Sequence, residues 1–138
     1  MAGRLSNADA NNVLDTRFGG FASTAPTTYY VGLSTSQPTD NGNNVSEPDA
    51  ASGYARVAVP NDATNWPDAN NRTKGNGLEI VFPEPTDRWG TIFYFVLYDA
   101  PTGGQMRAWG SLNSAQTIEM GAVPSFAPYS LYISAPGF

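Results

Sequence analysis

The chain has 138 residues, and twelve acids against six arginines and the single Lys74 leave it a formal net charge of −5. A nucleic-acid partner is not expected, because neutralising phosphates takes a clustered basic face and these seven cations are scattered along the sequence. Neither cysteine nor histidine occurs, which removes disulfides, thiolate metal sites and the Ser-His and Cys-His routes to an activated nucleophile.

The length suits one domain over residues 1–138, able to bury roughly two thirds of the surface its unfolded chain exposes. No run approaches the ~20 apolar residues that span a bilayer. The N-terminus, MAGRLSNADANN, lacks the apolar segment of a secretory signal. The expectation is a soluble chain made in a cytoplasm, with no membrane partner. Fourteen glycines and eleven prolines among seven Tyr, seven Phe and three Trp describe short aromatic strands separated by many turns, which predicts a mainly β fold.

One helix is predicted over about residues 6–18. Ser6 can cap it, with Asp9 three residues on and Leu5 placed to staple onto Ala10. Ala10, Val13, Leu14 and Phe18 fall on one face and Gly19-Gly20 stop it, so the helix is expected to lie across a sheet. Strand signals follow at Tyr29–Ser34, Tyr54–Val59 and Leu78–Phe82. The most apolar of them is Thr91–Tyr98, which a turn containing Pro101 and Gly103-Gly104 joins to a second strand ending near Gly110. In that strand Thr91, Phe93, Phe95 and Leu97 alternate with Ile92, Tyr94, Val96 and Tyr98. Both rows are largely apolar, so the strand is expected to be covered twice, by the facing layer of its own core and by a helix, a loop or another subunit. Gln116–Met120 and Tyr129–Ser134 complete the series. Seven or so short strands between about 28 and 134 predict a β-sandwich or jelly roll with one short N-terminal helix.

Two long polar insertions interrupt the pattern, Thr35–Gly53 and Asn61–Gly77. Loops of this length are uncommon unless they are disordered or functional. Trp66 in the second either folds back on its own domain or contacts a partner, where Trp is enriched.

Few residues could carry chemistry. Glu84 and Asp87 offer the carboxylate pair of a glycoside hydrolase, but at a turn spacing that Asp and Pro themselves shape. Asp40-Asn41-Gly42-Asn43-Asn44, with Glu47 and Asp49, supplies hard oxygens without the calcium-loop spacing. Asn44-Val45-Ser46 and Asn71-Arg72-Thr73 match the glycosylation pattern in a chain with no secretory signal. No Ser sits in a Gly-x-Ser-x-Gly elbow, and Lys74 among Asn and Gly reads as exposed. Gly103-Gly104 leads into a strand, which makes it a turn and not a phosphate cradle. No catalytic, cofactor or metal site is expected. Arg56, Arg88 and Arg107 are read as solvated or paired, either within the chain or between subunits.

The segments Thr28–Gly42 (TYYVGLSTSQPTDNG), Gly53–Val59 (GYARVAV), Trp89–Gly104 (WGTIFYFVLYDAPTGG) and Trp109–Leu112, with the helix ending in Phe18-Gly19-Gly20, resemble in order and spacing a family of small virion proteins of tailed bacteriophages. The resemblance covers nearly the whole chain and describes a fold, with no catalytic signature in it. It implies a structural virion protein. The reading taken forward is a capsid cement, or decoration, protein on the outside of the head, with the major capsid protein and its own copies, as a homotrimer, for partners. The alternative is a tail-fibre or baseplate component that contacts the host surface or its glycans. Trp66, Tyr54, Arg88 and Phe138 are the expected interface anchors, since aromatic residues and Arg dominate interface energetics.

Overall fold

The computed structural model describes residues 3–135, which leaves the candidate anchor Phe138 outside the described residues. In chain order the elements are β1 (Arg4–Leu5), α1 (Asn7–Arg17), β2 (Thr28–Ser34), β3 (Val57–Pro60), β4 (Thr73–Gly75), β5 (Ile80–Val81), β6 (Gly90–Tyr98), β7 (Met106–Ile118), β8 (Ser125–Phe126) and β9 (Tyr132–Ser134). A five-stranded antiparallel sheet runs β1-β7-β6-β2-β3. The layer facing it is two ribbons, β4-β9 and β5-β8, in place of a full second sheet. The fold is mainly β, a sandwich with one short N-terminal helix. Pro60, which cannot donate to a ladder, closes β3 at the sheet edge opposite Thr28.

The predicted double cover of β6 is present, and both covers come from this chain. On one face Ile92, Phe95 and Leu97 pack with Leu33, Phe82 and Leu131. On the other, Val96 and Tyr98 join Met106 and Trp109, closed over by Tyr30, Tyr94 and Val45. Val45 belongs to the first polar insertion, so a loop supplies the second cover.

Besides β4, a strand inside the second insertion, and β3, which begins at Val57 and not at Tyr54, three elements differ from the sequence expectation. β7 is one strand of 13 residues, not a hairpin arm followed by a separate strand at Gln116–Met120. Its register slips, with Ile92 opposite Gln116 but Tyr94 opposite Ser111, so β7 carries extra residues across from Phe93. A bulge of this kind re-aims side chains. Ile92 thereby turns into the same core as Phe95 and is 1% exposed, while Phe93 is 45% exposed. Second, Tyr129 lies outside β9 and exposed because its φ of 60° belongs to the left-handed region. Leu131 still fills the core from the adjoining turn.

Third, α1 does not lie across the sheet. Ser6 does cap it, its Oγ accepting from the Asp9 amide at 3.2 Å. Yet the face buried at the first turn is Asp9, and Val13, Leu14 and Phe18 are exposed. The helix contacts only β1 and β7 among the elements. Its first turn is held by ions and amides, and its apolar side chains are left in water.

Candidate functional site

Two glycines shape the interior around β6. Gly104 (φ 76°) turns the β6–β7 hairpin, where a Cβ would fall 2.6 Å from Asp99 Oδ1. That carboxylate accepts from the Gln105 amide at 2.8 Å. Gly32 on β2 leaves room for a buried polar cluster, since a Cβ there would meet Tyr54 Oη at 2.6 Å and Glu47 Oε1 at 2.7 Å.

That cluster fastens the first insertion. Arg56 forks onto Glu47, Nε to Oε1 at 2.9 Å and Nη2 to Oε2 at 2.8 Å. Its Nη1 donates to the Ala100 and Gly103 carbonyls, both at 2.8 Å, and its guanidinium lies 3.6 Å over the Tyr98 ring. Tyr54 Oη donates to Glu47 Oε1 at 2.6 Å and accepts from the Leu33 amide at 3.0 Å. Burial first, and then the Glu47 charge, push the Tyr54 phenol above its ordinary range. Farther along the loop, Asp40 accepts from Trp109 Nε1 at 2.9 Å and from Arg4 at 2.8 Å. Asp49 caps a single helical turn, Ala50–Ser52. The three carboxylates that suggested a calcium loop, Asp40, Glu47 and Asp49, are thus committed to protein partners. Among the described residues no group of three or more acidic side chains could hold a metal ion.

The sequence candidates sort accordingly. Tyr54 is 8% exposed and Trp66 6% exposed, so two expected anchors are turned inward in this chain. Trp66 meets Tyr29 edge-on at 6.1 Å, and the insertion bearing it folds back on its own domain. Its buried indole nitrogen has no hydrogen-bond partner among the described residues. Arg88 does face outward, its side chain 60% exposed and 3.6 Å from Glu119, a pair that solvent renders weak. Arg107 is paired within the chain, to Asp9 at 3.2 Å and Asp99 at 3.1 Å. Lys74, expected to be exposed, is part-buried on β4, beside the same small cavity as Trp66. Glu84 and Asp87 stand exposed on their turn, and Asp87 Oδ1 accepts from the Arg88 amide at 2.8 Å. Asn44 takes a positive φ of 63° and donates to the Gln37 carbonyl at 2.8 Å. Among the described residues no helix is long and apolar enough to cross a membrane.

Two features were not foreseen. One is an arm, made of the outer part of α1 and the segment that follows. Its base is clamped: the Ser6 amide donates to the Arg107 carbonyl and the Asn7 amide to the Asp40 carbonyl, both at 2.8 Å. Burial raises the Asp9 carboxyl above its ordinary value, against the pull of Arg107. Beyond this clamp every residue from 13 to 25 is exposed. Val13, Leu14, Phe18 and Phe21 are 43%, 52%, 74% and 62% exposed. An apolar stripe in the sequence normally signals a buried face, which is why the sequence alone placed it on the sheet.

The other is a cleft of about 580 Å³ between the far half of β7 and the β5-β8 ribbon, within the usual size of a ligand site. Phe82, Ile92, Phe95 and Phe126 line its apolar side and Gln116 and Ser125 its polar side. Phe126 packs at 6.2 Å against both Phe82 and Phe95. None of its lining residues is charged. The bulge in β7 helps to form it, and nothing in the local sequence announces that bulge.

No curated protein matches the chain. A family model does, the one described as Podophage GP4 fiber I protein gp80, over residues 4–134. That span takes in the sheet, both ribbons and the arm, and it agrees with a small β protein of the tailed-phage virion. The chain belongs to the podophage GP4 fiber I protein gp80 family and is a structural protein of a bacteriophage virion.

Proposed function

We propose that the chain is a subunit of a tail fibre, part of the structure by which the virion meets the host surface, and that it works by assembly with no catalysis. The observation that carries this reading is the arm. Fully burying a Val, Leu or Phe side chain is worth about 1.5–3 kcal/mol relative to leaving it in water, and four such groups stand out on one projection. An assembly that covered them would recover that energy. A lone enzyme would have no use for them. The family's printed description as a fiber protein supports a place on the tail better than the cement role on the head.

Gold labelling of the protein on intact virions tests the placement. Signal over the tail is expected. Signal over the head, with binding of the purified protein to shells that lack it, would overturn the fibre reading and favour a decoration protein bound to the major capsid protein.

A further inference from the structure

We infer that the cleft between β7 and β8 receives the arm segment, residues 18–26, of a second copy of this chain. The inference rests on the proposed fibre role only in supposing that copies assemble. Three observations carry it.

Charge is the first. The chain holds nineteen charged residues, seven basic and twelve acidic, yet residues 18–26, FGGFASTAP, have none, and neither does the lining of the cleft. Joining the two surfaces desolvates no ion, which removes the largest cost of burying them. The second is the need of each surface. Phe18 and Phe21 are bare, and the cleft offers the part-buried ring of Phe126, backed by the buried Phe82 and Phe95, to edge-on aromatic packing. The third is the backbone. The arm segment belongs to no helix or strand, and among the described residues β8 pairs only with β5, so an edge of that ribbon is open to an added strand. Gln116 and Ser125 stand on the cleft lining to meet polar groups of the incoming chain.

The arm is clamped near Arg107 at one end of β7, whereas the cleft opens along Ser111–Ile118 at the other. Arm and cleft are different patches of one molecule, so the contact is head-to-tail, and it closes into a ring or runs on as a filament. Two copies exchanging arms reciprocally would be the smallest closed form, and the homotrimer expected from the sequence is the next.

The chain has no cysteine, which makes a directed cross-link clean. Ser23→Cys on the arm and Ser125→Cys beside the cleft are both at exposed positions. The two proteins are made separately, shown to melt like the parent, mixed under oxidising conditions and resolved by mass spectrometry. Mixed disulfide dimers well above the share that random pairing of the two proteins would give are expected. In parallel, sedimentation of the parent should show concentration-dependent oligomers. The double variant Phe18→Asp, Phe21→Asp should weaken self-association by at least ~30-fold, as loss of interface hot spots does.

A parent that stays monomeric up to its solubility limit overturns the inference. So does a mixture giving only random disulfides. A monomeric chain whose Ser125→Cys thiol is shielded from alkylation by neutral oligosaccharides would assign the cleft to a saccharide instead. In any of these cases gold over the tail would leave the fibre reading standing, so the two failures are separable.

Discussion

The loop of residues 35–49 and the outer segment of the arm, residues 18–27, are two excursions from the same sheet, and each behaves against its composition. The loop is polar and long, yet it covers the second face of β6 through Val45, Glu47 and Asp40. The outer segment of the arm holds two Phe residues and no charge, yet it stands in water. Partners explain the difference. Every anchoring group of the loop finds a complementary one on the body: Glu47 finds Arg56 and Tyr54, Asp40 finds Trp109 and Arg4. The arm's apolar groups have nowhere on their own sheet to go, because the face of the sheet that carries the first core is already filled by the two ribbons.

Arg56→Ala should break the comparison at its strongest point. It strands the Glu47 carboxylate beside Tyr98 and should cost about 3–5 kcal/mol, as removing one partner of a buried pair does. Urea denaturation measures it, and Arg56→Lys should recover only part of the loss, since an ammonium cannot make the two-pronged contact. A cost below about 1 kcal/mol, the usual worth of an exposed ion pair, would mean that the loop is not held this way.

Tyr54→Phe comes next, at about 1–3 kcal/mol for a lost buried hydrogen bond. It also has an alkaline signature. A phenol whose folded pKa is raised stabilises the fold fully below its ordinary value and loses that contribution as pH climbs toward the folded value. Tyr29, which burial pushes up to about 12, follows the same sign over the window from about 10 to 12. Stability should therefore fall above about pH 10, and less steeply in Tyr54→Phe and in Tyr29→Phe than in the parent. An unchanged slope in both variants would remove burial of the phenols as its cause.

Ser6→Ala tests the clamp under the arm and should cost about 1 kcal/mol, the usual worth of a helix cap. Smallest of all, Phe21→Ser should change the monomer's unfolding free energy by no more than about 0.5 kcal/mol, like an ordinary surface substitution. A clearly larger loss in dilute protein would show that the arm packs on its own body and would erase the contrast with the loop.

Much of the fold was legible because its signals are local. Alternation marked Tyr29–Ser34 and Thr91–Tyr98, Ser6 marked the helix start, and Gly103-Gly104 the hairpin turn. Greasy rows on both sides of β6 correctly required two covers. The misses are all contacts between distant residues. The register slip opposite Phe93 depends on how β7 meets β6 and not on any residue within Leu112–Ala115. The two-residue strands β1 and β8 are too short to show a period and exist only because partners align them.

The candidate site was less legible still. Trp66 and Tyr54 were noticed for their chemistry, but sequence cannot tell an aromatic that anchors a partner from one that anchors its own loop. Both are nearly enclosed here. Arg56 and Arg107 were expected to be solvated or paired, and only the fold could supply the acids, nine residues away for Arg56 and both eight and ninety-eight away for Arg107.

The sequence by itself determined that this is a mainly β chain with a capped helix, a doubly covered central strand and no histidine or cysteine chemistry, because those follow from residue types and from spacings of two and three to four. Only the tertiary structure decided which surfaces remain open. Burial of a side chain depends on what the rest of the chain brings to it, and here that sent a polar loop inward, left an apolar arm outside and opened a neutral cleft beside the bulge in β7.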